Sequence, residues 1–442
     1  MSLPRNDQDD LFYIPPYVSL NRLNADGKLL SPAQLALVKE TLARLQEHRK
    51  YKTNRLAKRL FGPDFPYGIV EDQGEIYAIY REEQQIELGK GGYGAVKLAQ
   101  CQRTGKWFAL KILDLNYTPS EFLENEHANL TALKKLIGSL GKRKSSKNST
   151  QKAFFLMNFE KGLPLFDLLE HCLQKKEPEY SWPALMWLNI AIKVLEAVQK
   201  IHAQGFVHAD LKLENLLYDP VTNEVNAVDF AFAKQSRDKK QTADTFFIES
   251  KHACGTPHYA APELRKKQPI YSYSAKTDIF ALWLVLYQLL FKKGIDWYAP
   301  KGKSYLFSLE KTLFSQDKDL ENIIRSLRHP LPTQRPTITA ALDKLKTYEK
   351  NYQKLYPAEH KKVNELLKQN AAAEKNRLTD AHARLQFPLS WSSEHKQEFL
   401  PSMPRNQSRF FTHLSPAAST TEIEKSTSFA QLVQQLSKIH LP

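Results

Sequence analysis

Apolar residues change their spacing along the chain, and the changes divide it. Leu35, Val38, Leu42 and Leu45 recur at helical intervals behind Ser31-Pro32, with Gly62-Pro63 as a stop, so the spacing predicts a helix over about 32–60. YGIVEDQGEIYAIYREE (67–83) reads as two extended segments around a turn at Gln73-Gly74. From about Ile86 to Phe159 the pattern is β-rich. It then turns helical, notably in WPALMWLNIAIKVLEAVQKIHAQG (182–205). Strands followed by helices predict an α+β, bilobal arrangement with a cleft between lobes. IFALWLVLYQLLF (279–291) is too short to cross a bilayer comfortably and suits a buried helix. Beyond Lys346, Val363, Leu366, Leu367, Leu378, Ala381 and Leu385 form an apolar stripe on a basic helical segment, expected to pack back on the body. From Gln386 the chain is rich in Ser, Thr, Pro and Gln, which predicts a largely flexible tail with one short amphipathic helix at 429–439. The divisions expected are therefore an N-terminal extension (1–84), a central domain (85–346), a basic helical extension (347–385) and the tail (386–442).

Composition narrows the class only slightly. The 42% hydrophobic and 25% charged fractions are those of an ordinary globular protein. MSLPRNDQDDL lacks the basic and apolar regions of a secretory signal, and Cys101, Cys172 and Cys254 lie in no CxxC arrangement, which predicts a reducing, cytoplasmic setting without disulfides or zinc. The net charge of +15 is partly concentrated in KKLIGSLGKRKSSKNSTQK (134–152), which has seven basic residues and no acid. That run is expected to be a solvated loop, with contact to an acidic protein or membrane surface as the alternative. No nucleic-acid-binding motif accompanies the charge, so nucleic acid is the least favoured partner, and no transmembrane segment is expected.

Three stretches carry candidate chemistry. In ELGKGGYGAVKLA (87–99), Gly89, Gly91 and Gly94 sit between two strand-like segments, where backbone N–H groups approach phosphate oxygens without obstruction by Cβ. Taken alone, such a pattern is better explained by a glycine-rich hairpin. WFALKIL (107–113) interrupts an apolar strand with Lys111, and the following helical pattern offers Glu121, Glu124 and Glu126 as partners. Glu126 is preferred, because Leu130 and Leu133 then lie on neighbouring faces of that helix. A lysine so held can grip nucleotide phosphates. In FVHADLKLENLLYD (206–219), Asp210 suits acceptance of a hydroxyl proton, Lys212 suits charge compensation on a transferring phosphoryl group, and Asn215 suits a metal ion. NAVDFAF (226–232) adds Asp229 as a second oxygen ligand, a set that fits Mg²⁺.

In this order the motifs resemble the eukaryotic-type serine/threonine protein kinases over roughly 260 residues. GKGGYGAV stands for the glycine-rich loop, FALK for the strand lysine, HADLKLEN for the catalytic loop, DFA for the metal-binding element and AAPE for the end of the activation segment. The resemblance implies a kinase-like fold, ATP with Mg²⁺ (Mn²⁺ as a substitute) and protein substrates. It implies that Leu88, Val96, Ala109 and Leu217 wall the adenine, that Met157 is the gatekeeper and that Asn158-Phe159-Glu160 is the hinge. It implies further that Thr256 supports Asp210 and Lys212, that Arg335 pairs with Glu263, and that Asp278 belongs to the long buried helix. His208, Phe230 and Leu130 would belong to an internal hydrophobic stack.

Two positions depart from the family pattern. Ala209 replaces an arginine that commonly reads a phosphate on the activation loop, which argues against activation by loop phosphorylation, although Thr242, Thr245 and Ser250 remain candidate sites. Ala231 replaces a glycine and should restrict the backbone there without removing a ligand. Two other readings stand beside an active kinase: a pseudokinase scaffold that binds nucleotide or partners without transfer, and a small-molecule kinase. Retention of Lys111, Asp210, Asn215 and Asp229 disfavours the first; AAPE and Arg335 disfavour the second. The non-standard activation elements and the tail SPAASTTEIEKSTS (415–428) resemble those of effector kinases that bacteria inject into host cytosol.

Overall fold

The computed structural model describes residues 67–72, 74–80, 87–91, 94–144, 151–174, 182–236, 247–291, 293–295, 306–308 and 317–379, together with Leu35, Ala36, Lys39 and Phe314. The chain divides into two compact units, and the division falls between Phe159 and Glu160. Of the expected N-terminal helix, Leu35, Ala36 and Lys39 are helical. The remainder of that helix and the tail from Gln386 lie outside the described residues, as do Thr242 and Thr245.

The first unit is built on a seven-stranded antiparallel sheet of order β1-β2-β4-β5-β7-β6, with β3 paired to β4. The expected hairpin is present as β1 (Tyr67–Asp72) and β2 (Glu75–Tyr80), and its turn contains Gly74 at a φ of 81°. β3 (Glu87–Gly91) and β2 share one edge of β4 (Gly94–Cys101): β3 takes Gly94–Lys97 and β2 takes Ala99–Cys101. The hairpin assigned to the N-terminal extension thus lies in the same sheet as the glycine-rich segment. β5 (Trp107–Asp114), β6 (Leu136–Lys144) and β7 (Gln151–Asn158) complete the sheet, and α1 (Ser120–Ala132) follows β5.

Of the basic run 134–152, expected as a solvated loop, residues 136–144 form β6 and 151–152 begin β7, while 145–150 lie outside the described residues. Charge density alone did not distinguish a loop from a strand at the end of a sheet, where basic residues discourage further pairing.

Period-two alternation then sorts the side chains. Tyr77, Ala99, Cys101, Phe108, Leu110 and Leu156 form one buried cluster, with Ile79, Ile112 and Phe154 packed against it. Residues directly opposed across strands share a face. The pairs Val96–Lys111, Leu98–Ala109, Ala109–Met157 and Lys111–Phe155 therefore occupy the other face.

The second unit is mainly helical: α2 (Leu165–Gln174), α3 (Ala184–Ala203), α4 (Pro262–Arg265), α5 (Ala275–Phe291), α6 (Lys318–Ser326), α7 (Ile338–Leu355) and α8 (Pro357–Thr379). α3 and α5 are buried nearly all round, as their continuous apolar character requires. Among the described residues no helix is long and apolar enough to cross a membrane. α8 packs back on α3 and α7 with Val363 and Leu366 buried, as the first part of the apolar stripe predicted, while Ala381 and Leu385 lie outside the described residues. The helical run breaks at Tyr356, as expected for a residue before proline.

Short strands complete this unit. β8 (Leu163–Pro164) and β11 (Glu224–Ala227) flank β10 (Leu216–Asp219). β9 (Phe206–Val207) pairs with β12 (Lys234–Gln235), and β13 (Ile248–Ser250) pairs with β14 (Tyr271–Tyr273).

Candidate active site

Lys111, Val96, Ala109 and Met157, four of the candidate residues of the first unit, share one face of its sheet. Lys111 Nζ lies 2.5 Å from Glu126 Oε1, with side chains 13% and 2% exposed, so the pair is shielded from the solvent that weakens surface ion pairs. On α1, Leu123, Glu126 and Leu130 are buried while Glu121 and Glu124 are exposed, so helical phase selects Glu126 among the three carboxylates. Val96, Ala109 and Met157 occupy the same sheet face as Lys111 by register. Asn158 ends β7, and its N–H donates to Lys135 O at 2.9 Å.

Leu88, Gly89 and Gly91 lie in β3, and Gly91 is the Cα partner of Gly94 across the β3–β4 turn. Gly94 also has a packing reason that sequence reasoning did not supply. A Cβ there would stand 1.9 Å from Ile112 O on the neighbouring strand.

In the second unit, Asp210 is 3% exposed and surrounded by donors. Thr256 donates to Asp210 Oδ1 from both its backbone N–H and its hydroxyl, each at 2.7 Å. Asn215 Nδ2 donates to Asp210 O (2.9 Å) and Oδ2 (3.1 Å). Lys212 Nζ lies 3.2 Å from Asp210 Oδ2 and donates to Thr256 Oγ1 at 3.1 Å. Asn215 sits in a single 3-10 turn, Leu213–Asn215, and its carbonyl accepts from Val228 N–H at 2.9 Å, one residue before Asp229. The structure thus brings Asp210, Lys212, Asn215, Asp229 and Thr256 into one neighbourhood. Leu217 follows on β10, opposite Asn226 and Pro164.

Two non-glycine residues here have left-handed backbones, Ala209 at φ 62° and Asp229 at φ 63°. Such conformations cost about 1–3 kcal/mol each and persist where surrounding contacts impose them. At Ala209 the imposing group is Asp278 of α5. Its Oδ2 accepts from His208 N–H (2.8 Å) and its Oδ1 from Ala209 N–H (2.9 Å), and His202 Nε2 lies 2.9 Å from Oδ2. His208 Nε2 lies 3.0 Å from Val228 O, and its ring centroid is 5.0 Å from that of Phe230. Phe230 is buried while Asp229 is exposed. Ala231 is buried with an ordinary φ, so its methyl group costs no left-handed strain in this conformation.

Ala209 also reveals what occupies the surroundings of the missing arginine. Leu264, Tyr271 and Tyr273 form an apolar cluster against which Ala209, Ile248, Cys254 and Ala260 pack. Tyr273 went unremarked in the sequence, where YSYS carries no signal. Its hydroxyl accepts from Cys254 N–H at 2.6 Å, two residues before Thr256. Between them, Gly255 has a φ of 96°, and a Cβ there would stand 2.2 Å from Ala209 O. Glu263 is held by Arg335, joining the end of this segment to the residues that follow α6.

The chemistry on offer is a buried carboxylate poised by neutral and cationic donors, beside an amide and an exposed carboxylate able to ligate a hard cation. Asn215 commits its amide nitrogen to Asp210, which turns its Oδ1 away. That oxygen and the Asp229 carboxylate fit Mg²⁺, which takes few protein ligands and completes its shell with phosphate and water.

Comparison with known proteins agrees with this geometry. A family model described as protein kinase domain matches residues 81–345. The cAMP-dependent protein kinase, catalytic subunit-like protein of Caenorhabditis elegans is 28% identical over 223 residues, 50% of this chain and 50% of that protein. Serine/threonine-protein kinase Sgk3 of Rattus norvegicus is 32% identical over 208 residues, 46% of this chain and 38% of its own length. CBL-interacting serine/threonine-protein kinase 26 of Arabidopsis thaliana is 28% identical over 298 residues, 63% of this chain and 61% of that protein. The chain spans about half or less of the length of the first two relatives.

Proposed function

Because the chain belongs to the protein kinase domain family, we propose that it is a serine/threonine protein kinase transferring the γ-phosphoryl group of ATP to protein hydroxyls. In this reading Asp210 takes the proton of the acceptor hydroxyl as the new oxygen–phosphorus bond forms and the bond to ADP breaks. Lys212, 3.2 Å from Asp210, offsets the charge on the moving phosphoryl group. Lys111, fixed by Glu126, grips the nucleotide phosphates together with the β3–β4 turn. On the first unit Leu88, Val96 and Ala109 are the wall residues for the base, Met157 is the gatekeeper and the Asn158 backbone serves the polar edge; on the second unit Leu217 and Glu160 are the candidates for the same two roles.

Asn215 and Asp229 would hold Mg²⁺, whose charge neutralises phosphate oxygens when it is bound. Thr256 holds Oδ1 of the Asp210 carboxylate, and Oδ2, which Asn215 and Lys212 approach at 3.1 and 3.2 Å, is the oxygen that meets the acceptor hydroxyl in this reading. That double donation at 2.7 Å is the observation on which the reading chiefly rests, because a scaffold that never transferred phosphate would have no need to orient this carboxylate.

The tail composition at 415–428 supports a setting as an injected effector acting in host cytosol. Those residues lie outside the described ones, and a reporter fused to 386–442 and followed into host cells tests that setting separately.

The activity is tested with γ-labelled ATP and Mg²⁺, the full chain, generic protein acceptors and the Asp210→Asn variant. Label on serine or threonine that falls by on the order of 10²–10⁴-fold in the variant supports the reading. ATP binding with no transfer favours a scaffold, and absence of ATP binding overturns the nucleotide site.

A further inference from the structure

The segment that holds Asp210 is bordered by exposed cations. Between Lys251 and Tyr271 the sequence carries four lysines and arginines, Lys251, Arg265, Lys266 and Lys267, against one carboxylate, Glu263. Glu263 is occupied by Arg335 through two hydrogen bonds of 2.7 Å, and its charge also acts on Arg265, so Lys251, Lys266 and Lys267 are the less compensated cations. All four cations are exposed.

The fold plants Arg265 on residues 254–260 and brings the other three close to the two ends of that segment. The Ser250–Tyr271 pairing of β13 with β14 sets Lys251 beside the chain leading from Lys266 and Lys267 into β14. Arg265 Nε donates to Ala260 O at 2.8 Å, and its guanidinium lies 5.5 Å from the Phe280 ring centroid, which plants it beside the same segment. Burial first, and the nearby Arg265 charge second, push His258 down to about 4.

We propose that this face receives an acidic stretch of the protein substrate flanking its acceptor hydroxyl, with Lys251, Arg265, Lys266 and Lys267 as counter-charges. The proposal rests on the reading of Asp210 as the acceptor site. A substrate protein fits better than a membrane or nucleic acid, because the cations adjoin the segment whose Thr256 fixes Asp210. Exposed charges of this kind act weakly one by one and collectively set partner preference and encounter rate. The carboxylates of the neighbourhood are the exposed Glu249 on β13, beside Lys251, Glu214 of the 3-10 turn, which acts on Tyr259, and Asp167 of α2 beyond it, and they define the opposite preference that the test must separate.

The test uses the full chain and fluorescent peptides with one serine flanked by glutamates, by lysines or by alanines. Binding is read by anisotropy at about 50 and 150 mM salt, ionic strengths at which surface charges are screened to different degrees. The acidic peptide is expected to bind roughly tenfold more tightly than the lysine peptide, with the gap narrowing as salt rises. The Lys266→Glu/Lys267→Glu variant should erase the gap, and Lys251→Glu, on a different element, should reduce it.

Equal or tighter binding of the lysine peptide overturns the proposal and assigns the face to Glu214 and Asp167. Binding of phosphatidylserine vesicles that depends on Lys266 and Lys267, without acidic-peptide binding, overturns it in favour of a membrane. Phosphate transfer to the same peptides separates the two readings. Acidic binding without transfer sinks the kinase activity and keeps this surface, whereas transfer without acidic preference does the reverse.

Discussion

Arg335 and Glu263 meet through two parallel hydrogen bonds of 2.7 Å, Nη1 to Oε1 and Nη2 to Oε2. The remaining donors of the guanidinium are also used: Nε gives to His329 O (2.7 Å), Nη1 to Lys276 O (2.8 Å) and Nη2 to Pro330 O (3.1 Å). The Arg335 side chain is 0% exposed and Glu263 24%, and the guanidinium lies 5.0 Å from the Phe280 ring centroid. Removing one partner of such a pair strands the other, so Arg335→Ala should cost about 3–5 kcal/mol in urea unfolding. Arg335→Lys should recover little, because an ammonium cannot reproduce the planar fork. A loss within experimental error for either variant would mean that the pair is dispensable.

Tyr273 ties the segment before Thr256 to β14. Its hydroxyl accepts from Cys254 N–H at 2.6 Å, and burial pushes the phenol well up, so it keeps its proton at any working pH. Tyr273→Phe leaves the ring packing intact and removes the partner of that N–H. Stability should fall by about 1–3 kcal/mol. Turnover should fall by on the order of tenfold with the KM for ATP unchanged, because the displaced element carries Thr256 and not the nucleotide. Unchanged turnover would show that β13–β14 pairing alone holds the segment.

His258 gives the fold a pH dependence with a defined sign. Its folded value is lowered from 6.5 to about 4, by burial first and by Arg265 second. Above 6.5 both folded and unfolded chains carry it neutral, and its contribution is fully present. As pH falls from 6.5 towards 4 the unfolded chain takes up a proton that the folded chain refuses, and stability is lost across that window. The unfolding midpoint should therefore fall more steeply with acid between those values in the parent than in His258→Gln. Parallel pH profiles would remove His258 as the cause.

Glu359 caps a helix that begins far away in sequence. α3 has Pro183 before it and no side-chain cap of its own, and its Leu185 N–H instead donates to Glu359 Oε1 of α8 at 2.8 Å. Glu359 Oε2 accepts from the Tyr352 hydroxyl at 3.3 Å. Loss of a cap typically costs about 0.5–2 kcal/mol, so Glu359→Ala should lower unfolding stability by that amount. Glu359→Gln should fall between, because it keeps the acceptor and loses the charge beside the helix N-terminus. If both variants unfold like the parent, water replaces the cap.

Some relationships were written locally. Glu126 could be chosen over Glu121 and Glu124 because a helix places residues 123, 126 and 130 on one side, and burial follows that phase. Gln73-Gly74 marked the β1–β2 turn, and HADLKLEN with DFA marked the residues that gather around Asp210, which the Val228 N–H to Asn215 O bond brings together. Thr256, some way along the chain, was reached only through resemblance to a family. Sequence therefore determined the long helices and the β1–β2 hairpin, the faces that those helices bury and the side chains that carry candidate chemistry.

Tertiary structure alone decided the rest. The pairing of β2 with β4, the enclosure of Ala209 by Tyr271, Tyr273 and Leu264, the hydroxyl of Tyr273 on Cys254 and the carboxylate of Glu359 on Leu185 all join residues remote in sequence. No local periodicity encodes such contacts. Each requires a loop to close and a register to be chosen, and those choices are made by packing of the whole unit. The same reason explains the run 134–152: its charge was legible, but its place as β6 depended on a partner strand, β7, that local composition does not specify.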